Sequence, residues 1–211
     1  MHLSAQGYQV FVLQYSLGIS RGSLRRLCDA AWAMRLIRGE AKRFCVDPHK
    51  VAVMGFSAGG YVAAGLSVFA EKPSVCPEAA GGNIRPDAAV LCYPVLTACR
   101  GLAHEAPSAC SLGKRRIRRS GAPSFHWKTI SHASCRLCFM AHGDDKSVDV
   151  QNSLLFASAL AQNGAALLTC MFLKPGASWL ADCSLRTCDK AHPYPAHWLM
   201  LAQEWLGQRW A

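Results

Sequence analysis

A chain of 211 residues and 22.9 kDa can bury roughly 70% of its unfolded surface, so it needs no disulfide or metal staple to hold a core. A composition of 51% hydrophobic and 17% charged residues excludes a disordered or low-complexity polymer. Its net charge of +10 invites a nucleic acid or an anionic surface as partner, but the placement of the charge argues against both. Arg100, Lys114, Arg115, Arg116, Arg118, Arg119, Lys128 and Arg136 stand against Glu105 alone between Cys99 and Cys138, so the basicity belongs to one segment.

In chain order, the first residues read as a helix end closed by Gln6-Gly7. Tyr8 to Leu13 (YQVFVL) is a continuous apolar, β-rich run of the kind buried on both faces of a parallel sheet. Ser23 then caps a long helix whose Leu24, Leu27, Cys28, Ala31, Met34, Leu36 and Ile37 repeat at the spacing of one buried face. That helix ends before Val46-Asp47-Pro48, since proline disfavours helical backbone in the residue before it. Val51 to Phe56 reads as a second buried strand and Gly59 to Ala70 as a helix. Asp87 to Cys92 is a third strand, Leu137 to His142 a fourth, Ser153 to Gln162 a helix and Ala166 to Leu173 a fifth strand. Trp198 to Arg209 closes the pattern as an amphipathic helix. Strands alternating with helices predict an α/β fold with a doubly wound, mostly parallel sheet in a single domain over 1–211. Two stretches, 99–138 and 174–195, follow neither period and are expected to be off-pattern, disordered segments.

Eleven cysteines at irregular spacing contain one close pair, Cys135-x-x-Cys138, with no second pair at zinc-ribbon distance. Free thiols in a reducing, cytoplasmic setting are expected. No apolar run reaches the ~18 residues of a membrane span, and the first residues lack a secretory pattern.

The motif that carries chemistry is Gly55-Phe56-Ser57-Ala58-Gly59-Gly60, between a buried strand and a helix. In that context G-x-S-x-G holds a serine on a sharp, strained turn, with small residues two positions to either side, here Gly55 and Gly59. The turn lifts Oγ off the sheet, and the helix start behind it favours developing negative charge. Ser57 is the candidate nucleophile and the Ala58 amide a candidate oxyanion donor. The alternative is a glycine-rich strand–helix turn without chemistry.

VDPHKVAVMGFSAGGYVAAGL, RPDAAVLCYPV and HGDDKSVDVQNSLLFASALAQNG together resemble the α/β-hydrolase serine esterases, most nearly a bacterial acetylesterase-like branch described as acetyl-xylan or feruloyl esterase-like; GYQVFVLQYSLG and AHWLMLAQEWL fit it too. The resemblance implies a Ser–Asp–His triad in that chain order, acting on short-chain acyl esters, carried on carbohydrate, with a small-molecule ester as partner and no cofactor or metal. Ser57 matches the nucleophile. Asp145 matches the acid in a D-x-x-V pattern, with Asp144 one position early. The base does not match: Ala177 stands where the family carries histidine, and His192 in the following loop is the substitute candidate. The family's Gly-rich loop with the second oxyanion donor is also absent. By resemblance the chain starts after it, with roughly 60 to 80 residues and the first strands of the fold missing, judged against the usual domain length.

A frame change, with suitably chosen codons, would account for both off-pattern stretches, the alternative for the basic one being a solvated loop. Ala177-Ser178-Trp179, encoded GCN-TCN-TGG, reads His-His-Gly when shifted by one base with adenine at the free positions. Arg115 to Arg119 likewise opens into Ala-Ala-Ser-Glu. The chain as written is therefore expected to be a weakly active or inactive esterase, and sequencing the coding DNA tests the frame directly. The competing classes are a non-catalytic α/β remnant acting as a binding module and a basic nucleic-acid binder. The last would need aromatic residues interleaved with the cations, and only Phe125 and Trp127 lie near.

Overall fold

The computed structural model describes residues 2–16, 22–70, 83–96, 136–143, 145, 148–172 and 197–210. In order these form α1 (His2–Ala5), α2 (Gly22–Gly39), α3 (Ala41–Phe44), β1 (Ala52–Phe56), α4 (Ala58–Phe69), β2 (Ala88–Cys92), β3 (Arg136–His142), α5 (Gln151–Gln162), β4 (Leu167–Phe172) and α6 (Trp198–Trp210).

The four strands make one sheet in the order β1-β2-β3-β4, parallel throughout. A parallel pair needs a crossover, and α4 and α5 supply those after β1 and β3. β2 is the most enclosed strand, with Ala88, Ala89, Val90, Leu91 and Cys92 all at 0% exposure. That explains why its sequence is a run of small and branched apolar residues without alternation. Its side chains still divide by parity. Ala89 and Leu91 join Leu137, Phe139 and Phe156 in a core layer with Leu27 of α2 and Val62 and Leu66 of α4. Ala88, Val90 and Cys92 face the other way, with Cys138, Met140 and the Trp198, Leu199, Ala202 and Leu206 stripe of α6. Helices thus cover both faces, and the doubly wound α/β expectation holds.

Helix α2 presents Leu27, Ala30, Ala31 and Met34 inward. Its last turn is tied to the sheet by Arg38, which donates to the Arg85 carbonyl at 2.6 Å and pairs with Asp87 at 3.0 Å. Asp87 also accepts the Val51 N–H at 2.9 Å. Leu36, expected on the buried face, is 57% exposed. The helix begins at Gly22, so Ser23 lies inside the first turn and is not its cap.

Two strand expectations need correction. Tyr8 to Leu13 forms no strand among the described residues. Val10, Phe11, Val12 and Leu13 are 39–90% exposed, with Val12 at the upper limit. Apolar β-propensity makes a strand only where a neighbour offers a hydrogen-bonded ladder, and none of the described strands lies beside it. β1, expected to be buried, has Ala52 and Phe56 exposed. Among the described residues it pairs only with β2 and forms one edge of the sheet. Of the stretches 99–138 and 174–195, Arg136, Leu137 and Cys138 open β3 and are regular and paired; all else in them lies outside the described residues.

Candidate active site

In an open parallel sheet, the loops after the strand carboxyl ends make the natural crevice. Both matched site residues fall there. Ser57 follows β1 directly, and Asp145 lies three residues past the end of β3. With β2 between them, the two loops start two strand spacings apart, about 10 Å.

Ser57 has φ 51° and ψ −116°, in the left-handed half of the map that L-residues avoid, at a cost on the order of 1–3 kcal/mol. Surrounding bonds hold it there. Its N–H donates to the Cys92 carbonyl at 3.0 Å, and its carbonyl accepts from Tyr61 N–H at 3.2 Å and Val95 N–H at 3.2 Å. The first bond anchors the turn to the end of β2, the second starts α4, and the third ties the turn to the chain leaving β2. Ser57 and Ala58 are half-buried, so the residue is neither sealed in the core nor free on the surface. Ala58 is the first residue of α4, where unpaired amides and the helix dipole favour an anion.

The glycines around the serine play unequal parts. A Cβ on Gly55 would lie 2.6 Å from the Gly59 carbonyl carbon and 2.8 Å from the Gly60 nitrogen, and nearer still to the Gly59 oxygen. Gly55 is therefore required by the close return of the helix start onto the strand end. A Cβ on Gly59 meets nothing within 4 Å among the described residues. The second contact belongs to Gly60, where a Cβ would come within 2.7 Å of Pro94 Cβ. Spacing alone singles out Gly59; the double glycine at 59–60 was the available signal that a further small residue is needed.

Asp145 is half-buried, and its Oδ1 accepts the Val148 N–H at 2.9 Å, which closes the loop on itself and fixes the carboxylate. Tyr93, at φ 37°, bridges the space between the loops. Its N–H donates to the Met140 carbonyl at 2.7 Å, and its ring lies 6.2 Å from that of Phe56. The Phe56 ring in turn meets Trp198 edge-on at 5.5 Å. Burial pushes the Tyr93 phenol up to about 12, with further pushes from Cys92 and from Asp145. Tyr93 escaped the sequence reading because a tyrosine closing a strand usually signals packing. Ala177 and His192 lie outside the described residues, as does Asp144.

The arrangement brings to one sheet edge a strained serine at a helix start, a carboxylate two strands further along, and an aromatic cluster of Phe56, Tyr93 and Trp198. A serine on such a turn can act as a nucleophile, and a fixed carboxylate can orient a base.

Comparison with known proteins bears on the family and the fold. The family model for the alpha/beta hydrolase fold matches residues 4–163. The chain is 31% identical over 177 residues to endo-1,4-beta-xylanase B of Butyrivibrio fibrisolvens, covering 76% of this chain and 26% of that protein. It is 27% identical over 166 residues to an acetylxylan esterase of Xylanibacter ruminicola, covering 77% of this chain and 32% of that one. The chain therefore spans about a quarter to a third of the length of these two relatives. Among solved structures, it resembles an acetyl ester-xyloside bifunctional hydrolase from Caldicellulosiruptor lactoaceticus, with a TM-score of 0.62 and 28% identity over 87% of this chain and 65% of the other. A sugar hydrolase from Lactococcus lactis gives a TM-score of 0.75 at 25% identity, over 98% and 79%.

Proposed function

Because the chain belongs to the alpha/beta hydrolase fold family, we propose that it is a serine-type carboxylic-ester hydrolase acting on short acyl groups, acetyl above all, carried on carbohydrate. The observation that carries this reading is the conformation of Ser57, a non-glycine residue at φ 51° between β1 and α4. Backbone strain of that kind persists where surrounding structure over-determines it, and such sites cluster at active centres. The substrate class rests on the relatives, one of which is an acetylxylan esterase. The thiols of Cys45, Cys92, Cys138 and Cys170 fit a reducing, cytoplasmic setting.

In this mechanism Ser57 Oγ attacks the ester carbonyl, the alcohol departs, and water releases the acid from the acyl-enzyme. The Ala58 N–H stabilises the oxyanion, and Asp145 orients the base. Ala177 supplies no imidazole, so the serine is deprotonated inefficiently unless His192 takes that part. Loss of one triad member costs several orders of magnitude in kcat while leaving measurable residual catalysis. The expected outcome is a slow burst of phenolate from an activated aryl acetate, absent in S57A. H192A lowers the burst if that imidazole serves as base. Release that is unchanged in S57A removes the proposal.

A further inference from the structure

The Ser57 turn and the Asp145 loop belong to different strands, yet one buried amide touches the backbone of both surroundings. Asn152, in the first turn of α5, is 1% exposed. Its Oδ1 accepts the Leu96 N–H at 2.9 Å, and its Nδ2 donates to the Asp149 carbonyl at 3.0 Å. Its own N–H donates to that same carbonyl at 2.9 Å. Leu96 follows Val95, whose N–H holds the Ser57 carbonyl. Asp149 follows Val148, whose N–H holds the Asp145 carboxylate. A short, bonded path thus runs from the serine turn through one side chain to the acid.

We propose that Asn152 is a positioning residue that clamps the Ser57 turn and the Asp145 loop at a fixed separation, an inference that rests on the ester-hydrolase reading of those two residues. The chemistry of the side chain fits the task. A planar amide accepts on one edge and donates on the other, whereas a carboxylate has no proton for the Asp149 carbonyl and an aliphatic group serves neither side. Burial makes both bonds costly to lose. Backbone bonds from Ser57 to Cys92 and from Tyr93 to Met140 extend the ladder to the bases of the two loops, and the Asn152 side chain adds a tie beyond those bases. A misplacement of about 1 Å within a catalytic constellation is enough to slow chemistry on the order of a hundredfold.

The test compares burst rates on an activated aryl acetate. N152A is expected to lower the acylation rate about tenfold to a hundredfold with KM nearly unchanged. In a D145A background, adding N152A should change the rate no further, because the clamp acts through the acid. L160A, at the other end of α5 and 0% exposed, is the control for lost stability alone. An equal loss in L160A, or full additivity with D145A, overturns the proposal. If release in the unmodified chain proves independent of Ser57, the hydrolase reading fails, and amide hydrogen exchange then decides the clamp. Val95 and Val148 keep their own acceptors in N152A. Faster exchange at both, absent in L160A, retains Asn152 as the tie between the loops; unchanged exchange overturns it.

Discussion

The contrast between Gly55, Gly59 and Gly60 turns a motif into a set of energies. G55A drives a Cβ into the Gly59 and Gly60 backbone, and such overpacking is expected to cost about 1–3 kcal/mol or more. G59A has open space among the described residues and removes a helix glycine, so it should be neutral or stabilising by up to about 1 kcal/mol. G60A meets the Pro94 ring and should fall between. Denaturant unfolding of the three variants checks the order, and equal losses at Gly55 and Gly59 would contradict it. At this scale the serine and its glycine were legible because one steric rule fixes both. Asn152 was not legible: the helix expected from the sequence begins at Ser153, one residue beyond it. Only the fold puts Asn152 on one buried stripe with Phe156 and Leu160, where a polar residue demands partners, and supplies Leu96 and Asp149 to meet that demand.

Among the elements, the clearest consequence concerns Arg38. It joins the end of α2 to the residues entering β2, and Asp87 in turn holds the Val51 amide that leads into β1. Arg38 is 9% exposed at its side chain and Asp87 28%, so R38M leaves a half-buried carboxylate without its cation. The expected loss is about 1–3 kcal/mol, below that of a fully buried pair, and D87N in the same background should recover part of it. The Tyr8 to Leu13 run gives the opposite result. V12K alters a side chain that is 90% exposed, so stability should change by less than about 0.5 kcal/mol, while self-association seen by sedimentation should fall because a charge blunts apolar β-rich surface. Four of the five strands expected from apolar runs are present, each bound lying within one residue of the expectation. What misled the reading at Tyr8 to Leu13 and at β1 was burial, because a strand's enclosure depends on neighbours that its own residues do not encode.

For the molecule as a whole, the layer between the sheet and α6 sets a limit on alkaline stability. Burial pushes the Cys138 thiol up to about 12, with a smaller push from Cys170. Burial also raises Cys92 well above its ordinary value, with Cys138 adding to it, and raises Cys170. Unfolded thiols ionise near 9, so above that pH the unfolded chain binds fewer protons than the folded one. The stability that Cys138 contributes is complete below pH 9 and is lost as pH rises towards 12, at about 1.4 kcal/mol per pH unit while it is protonated only in the folded chain. Cys92 and, more weakly because it is only partly buried, Cys170 act in the same direction. Unfolding midpoints between pH 8 and 11 check this, and C138A should flatten the decline. A thiol reagent at pH 8 should reach exposed Cys45 quickly, and Cys92 and Cys138 only on unfolding.

The strand order β1-β2-β3-β4 also governs how the chain is made. Among the described strands, each lies beside the one synthesised just before it, so no place between them must be held open for a later arrival. The sheet is able to grow as a ribosome delivers it, a strand at a time. The serine turn gains its bond to Cys92 as soon as β2 docks, whereas the acid loop must wait for β3. During synthesis the strained half of the site is therefore assembled first, and it waits for its partner in a chain still tethered to the ribosome.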